Sequence, residues 1–222
     1  MDPSILDFED ARNRMVDSQI RPNKVTDPRI IAAMRRIPRE RFLPAHLAAL
    51  AYLDEDVALG GGRCLMEPMA IARLVQLTAA QAGERALVVA AGTGYGAALL
   101  AACGARVTAL EDDASLLAIA GRVLADLAPS VSLVTGPVAA GWSNAAPYDV
   151  ILIEGAVQEV PHAIGEQLRQ QSGRLVTIHA DSERLGQAVL AEATPAGLRM
   201  QPMFDCSVPS LPGFARSSGF VF

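Results

Sequence analysis

The sequence has 222 residues, of which 51% are hydrophobic and 19% charged, with a formal net charge of −5. That length supports a full core, and the composition is too apolar for a disordered chain. The acidic balance, with no block of Lys or Arg, argues against nucleic acid as a partner.

The opening Met1-Asp-Pro-Ser lacks the apolar stretch of a signal peptide, so none is expected. Leu6 to Ile20 places apolar residues at helical spacing, which predicts a first amphipathic helix. Thr26-Asp27-Pro28 is a capping signal followed by proline; it predicts a second helix that carries Ile30, Ile31 and Met34 and ends at Pro38. From Phe42 to Pro68 the pattern is irregular, with Gly60-Gly61-Gly62 as a loop, and a helix is expected from about Met69 to Leu77.

An alternation follows. Strands are predicted at Ala86–Ala90, Arg106–Glu111, Val131–Thr135, Val150–Ile153 and Arg174–Thr177, with helices at Ala97–Cys103, Ala114–Leu127 and His162–Gln170. Strand and helix in turn imply parallel strands joined by right-handed crossovers, a doubly wound α/β sheet. Gln187–Ala191, Leu198–Phe204 and Ser218–Phe222 are strand-like without intervening helices, which predicts an antiparallel closure. Residues 86–105 carry no charge, but the glycines at 92, 94, 96 and 104 break the run, and no membrane span is expected. Cys64, Cys103 and Cys206 are far apart, with no C-x-x-C pair and no histidine at ligand spacing, so reduced thiols in a cytoplasmic protein are expected and no metal.

Chemistry concentrates where the first strand of the alternation breaks into Gly92-Thr93-Gly94 and a helix resumes. Glycine permits both the tight turn and a ligand lying against the main chain, whose amides are exposed at the helix start. Glu111 ends the next strand, where nucleotide-binding sheets hold a ribose diol. Glu154, at the tip of the fourth strand, faces the same crevice. It is either a contact near the ligand or a strand-end carboxylate capping a turn.

Several colinear segments resemble the protein-L-isoaspartate O-methyltransferases, class I S-adenosylmethionine-dependent enzymes that esterify the abnormal carboxylate of isoaspartyl residues in damaged proteins. Ile37-Pro-Arg-Glu-Arg-Phe-Leu-Pro44 is similar to the family's "VPRE-x-F-V-P" run, and Ala51-Tyr52, Asp54, Gly60, Gly62 and Pro68 keep the spacing of its next segment. Gly92-Thr-Gly-Tyr95, Glu111, Tyr148-Asp149, Pro161 and Gly173-Arg-Leu-Val176 follow in the family's order. The resemblance implies a Rossmann-like methyltransferase sheet in one domain over 1–222, with 1–80 as an N-terminal helical and loop cap and 81–222 as the cofactor-binding core. It also implies S-adenosylmethionine as cofactor and a protein or peptide with isoaspartyl residues as substrate. Ala90, Ala91, Gly92, Gly94, Glu111, Gly136 and Pro137 stand in the family's cofactor-binding segments, and Tyr95, Asp112 and Glu154 are further candidate cofactor-binding residues beside them.

The sequence departs from the family at definite places. The acceptor segment "Q-T-I-S-Q-P" reads Arg63-Cys-Leu-Met66-Glu67-Pro68, so Met66 and Glu67 stand at the positions that orient the acceptor. In the cofactor loop an acid is Val88 and a glycine is Ala90, and the later "G-D-G" is Gly136-Pro137-Val138. Besides the enzyme reading, two alternatives stand: a silent member acting as a binding module, and a methyltransferase with a changed acceptor.

Overall fold

The computed structural model describes residues 7–180, 186–195 and 197–214. The elements in chain order are α1 (Phe8–Met15), α2 (Pro28–Arg36), β1 (Val57–Gly60), β2 (Arg63–Leu65), α3 (Pro68–Leu77), β3 (Arg85–Val89), α4 (Tyr95–Ala102), β4 (Arg106–Glu111) and α5 (Ala114–Leu127). They continue with β5 (Ser132–Thr135), β6 (Val150–Val157), α6 (His162–Gly165), β7 (Arg174–His179), β8 (Gln187–Thr194) and β9 (Gly197–Asp205).

Local chemistry sets the boundaries. The Asp27 carboxylate accepts from Arg29 N at 2.8 Å and Pro28 opens α2, whose missing amide is one the first turn leaves unpaired anyway. Ile37 is extended ahead of Pro38, which stops the helix. The expected first helix is shorter than predicted: after α1 the chain widens into a π turn over Val16–Ile20, which puts Met15, Val16 and Ile20 all into the core. Its expected start at Leu6 lies outside the described residues, as does the expected strand Ser218–Phe222.

The region around the three glycines holds the β1–β2 hairpin, in which Val57 pairs with Leu65 and Gly60 with Arg63. Strands of four and three residues are too short for an alternation to declare them. The predicted helix His162–Gln170 stops at Gly165 because the next residues pair with the sheet: Tyr148 N donates to Gln167 O and Arg169 N to Tyr148 O, both at 2.8 Å.

The main sheet has the order β5-β4-β3-β6-β7-β8-β9. β5 through β7 run parallel, whereas β8 and β9 are antiparallel, so the predicted closure forms from the two described strands. β9, at the edge, is exposed along almost its whole length. Val88, Leu152, Val176 and Ile178 point to one face, where the core also takes in Met15, Met34, Phe42, Ile71 and Leu100. Leu87, Val89, Ile151, Ile153 and Leu175 point to the other, which Val138, Ile164, Leu211 and Phe214 help to cover. The N-terminal helices therefore share a core with the sheet. The chain reverses between β3 and its neighbours β4 and β6, and a crevice opens beyond the C-terminal ends of such strands. Among the described residues no helix is long and apolar enough to cross a membrane.

Candidate cofactor-binding site

The turn from β3 to α4 is built on left-handed backbone. Ala90, Gly92 and Gly94 have φ of +56°, +57° and +94°. Gly94 is obligatory on two counts, since a Cβ there would be strained and would also lie 2.8 Å from Leu124 Cδ1. A Cβ at Gly92 would meet no atom within 4 Å, so the main chain there faces open space. Ala90 holds a conformation that costs a residue with a Cβ about 1–2 kcal/mol. It keeps the shape of a glycine turn without the glycine.

Glu111 sits across this turn at the end of β4, fully buried. Its Oε2 accepts from Gly92 N at 2.7 Å, and its Oε1 from the amides of Asp112 and Asp113 at 2.9 and 3.0 Å. Arg63 of β2 reaches over the strand ends and adds a two-pronged contact, Nη1 to Oε1 at 3.0 Å and Nη2 to Oε2 at 2.6 Å. Nη2 also donates to Ala90 O at 2.8 Å, which ties hairpin, turn and β4 together. The Arg63 side chain is 8% exposed, so the pair is shielded from solvent. Asp112 points outward, and Asp113 is occupied in capping α5 through Ser115 N and Leu116 N.

Glu154 belongs to β6 where its register with β7 slips between Leu152 and Ala156, and such irregularities re-aim side chains. The side chain lies over Gly96, where a Cβ would collide with it. Its Oε2 is sealed from solvent and has no well-formed hydrogen bond among the described residues. Burial pushes its pKa up to about 8, against the pull of Arg63 and Arg39, so the group is mostly a neutral acid at pH 7. Glu154 is half-buried, and its Oε2 stands against Gly96 in the first turn of α4.

The structure thus brings together Ala90, Ala91, Gly92, Gly94, Glu111, Gly136 and Glu154 at the C-terminal ends of four adjacent strands. Gly136 lies under Trp142, whose Cζ3 would stand 3.2 Å from a Cβ there, and Pro137 is exposed beside it. Tyr95 is present by its backbone only. Its ring is fully buried, edge-on to Phe42 at 5.2 Å and beneath the Arg39 guanidinium at 4.9 Å. Met66 is 1% exposed and packs into the core. Glu67 is half-buried, its amide donating to Asp56 Oδ1 at 2.7 Å, and its pKa is raised by burial and then by Asp56 and Asp54.

Two arginines were not anticipated as site residues. Arg39 is fully buried; its Nε donates to Ala51 O at 2.7 Å and its Nη2 to Met66 O, so it fixes the backbone at Met66. The sequence carried no signal for Arg63, because the carboxylate it pairs with lies 48 positions away.

The sequence pattern of the family described as Protein-L-isoaspartate(D-aspartate) O-methyltransferase matches residues 10–192. A protein-L-isoaspartate O-methyltransferase of Methylorubrum populi is 43% identical over 166 residues, which is 75% of this chain and 78% of that one. One from Koribacter versatilis is 34% identical over 212 residues and 95% of both chains. Among solved structures, a protein-L-isoaspartate O-methyltransferase superposes with a TM-score of 0.77 at 24% identity, covering 92% of this chain and 66% of that one. A Plasmodium falciparum structure described as a putative enzyme of the same type in complex with S-adenosyl-L-homocysteine gives 0.73 at 16% identity, over 90% of this chain and 97% of that one. These two likenesses establish the fold.

Proposed function

The chain belongs to the protein-L-isoaspartate O-methyltransferase family of S-adenosylmethionine-dependent enzymes, and from that premise we propose that it methylates the free carboxylate of isoaspartyl residues in proteins. Membership favours an enzyme over a silent binding module. The observation that carries the site assignment is the placing of the left-handed Gly92–Gly94 turn and the buried Glu111 at the ends of adjacent parallel strands.

The residues fit the cofactor in most respects. Main chain with open space above it at Gly92 would lie along the methionine portion. Glu111 would take the ribose hydroxyls, and Gly136 with Trp142 offers an apolar shelf for the base. Pro137 supplies no polar contact to that base. The cofactor, when bound, supplies a methyl group on a positively charged sulfonium.

A carboxylate acceptor is already ionised at neutral pH, so the protein needs no strong general base, and positioning supplies most of the rate. Arg39 contributes by fixing the Met66 backbone. Action on cytoplasmic proteins is supported by the free thiols of Cys64, Cys103 and Cys206. The test is transfer of labelled methyl from S-adenosylmethionine to an isoaspartyl peptide, with the aspartyl peptide as control. Base-labile label on the isoaspartyl peptide alone is expected. Label on neither, or equally on both, would overturn the acceptor assignment.

A further inference from the structure

The place on Glu111 that a ribose diol needs is already taken by a side chain of the same protein. An ionised carboxylate offers about four lone-pair positions. Three backbone amides and both prongs of Arg63 already share those of Glu111. Two incoming hydroxyl donors have no free acceptor position. The amides cannot withdraw without undoing the β3–α4 turn and the start of α5. Arg63 can withdraw, because only rotations of its own side chain are required. A receiver stands close by: Arg63 Nη1 is 4.0 Å from Asp112 Oδ1, on a side chain 48% exposed.

We propose that Arg63 sets the affinity of the cofactor site by standing in for the ribose on Glu111, so that S-adenosylmethionine or its demethylated product binds by exchange with the guanidinium. The proposal rests on Glu111 being the ribose ligand, as argued above. The mimicry is geometric: a guanidinium edge and a cis-diol each present two neighbouring donors to one carboxylate. It is unequal in strength, because the guanidinium contact is charge-assisted and the diol is neutral. The exchange therefore lowers affinity. It also couples ligand entry to the hairpin, since the same guanidinium holds Ala90 O at 2.8 Å. Cofactor entry frees β2 from the turn and releases a cation at the mouth of the site.

Calorimetric titration of the full chain with S-adenosylhomocysteine, wild type against Arg63→Gln, tests this without any turnover. With the competitor removed, the variant should bind roughly ten- to a hundred-fold more tightly, the worth of a hydrogen bond to a charged group. Because Arg63→Gln leaves Glu111 without a cation and could fail to fold, the second measurement uses the wild type. Its Arg63 Nη protons should be resolved and slowly exchanging in the free chain, and should broaden into fast exchange as S-adenosylhomocysteine saturates the site; Arg63→Lys assigns them. Equal or weaker binding by Arg63→Gln, or Arg63 signals unchanged at saturation, overturns the exchange and leaves the site assignment standing. No binding by either chain overturns both.

Discussion

Replacing Glu154 with glutamine should make the chain less sensitive to rising pH. In the unfolded chain this carboxyl titrates near the usual glutamate value, whereas in the fold burial raises it to about 8. The folded state thus holds a proton that the unfolded state gives up, and stability falls as pH rises between those values. Each unit of pH is worth about 1.4 kcal/mol, so from pH 5.5 to 7.5 this one group removes at most about 3 kcal/mol. Part of the residue meets solvent even though Oε2 does not, so the working expectation is about half that ceiling. Glutamine has nearly the same shape and no charge to lose. Urea unfolding of both chains at the two pH values cancels every other titrating group in the difference between them. The variant should gain about 1–2 kcal/mol on the wild type over that interval. A difference that does not change with pH would mean that Glu154 is hydrated and titrates normally, and the account of its burial against Gly96 would be wrong.

Glu111→Ala should abolish binding of S-adenosylhomocysteine in a calorimetric titration. It should also destabilise the ligand-free chain by about 3 kcal/mol in urea, because Arg63 is left as a shielded cation without its partner. At the acceptor segment, Glu67→Gln should raise kcat/KM for an isoaspartyl peptide by up to about a hundred-fold, the equivalent of two like charges about 5 Å apart at an effective dielectric near 20. The gain should shrink as pH falls, since the raised pKa of Glu67 lets the wild type shed that charge sooner than an ordinary glutamate; a gain independent of pH, or none, would place the carboxylate away from the acceptor. Met66→Ser is expected to cost about 2–4 kcal/mol in urea, as deletion of a buried side chain does, so any rise in activity with it must be read against that loss.

The repeating part of the fold was legible because its signals are local. Three of the five predicted parallel strands, Arg106–Glu111, Val131–Thr135 and Val150–Ile153, end in or at an acid or a glycine, and β3, β4 and Glu111 lie where the pattern placed them. Elements that depend on distant partners were not. The hairpin of β1 and β2 is held by register and by Arg63 reaching to Glu111, 48 positions away. The end of α6 is set by Gln167 and its neighbours pairing with Tyr148, against a helical spacing that runs on to Gln170. In the site, the glycines and Glu111 announce themselves by type and position. Whether Tyr95 and Met66 face a ligand or the core is decided by packing, and packing turned both inward.

The exposed β9 has a bearing on how this protein survives in a crowded solution. A free sheet edge offers unpaired main-chain groups to any passing strand, and long flat edges invite fibrous association. β9 is not such an edge. Pro202 withholds one donor from its middle, and the register slip opposite Ala188 and Val189 bends the strand. Arg199 is held by Glu192 of β8, so a charge projects beside Met200 and Met203, each 40% exposed. Among the described residues the sheet thus ends in a strand that pairs inward with β8 and is a poor template outward.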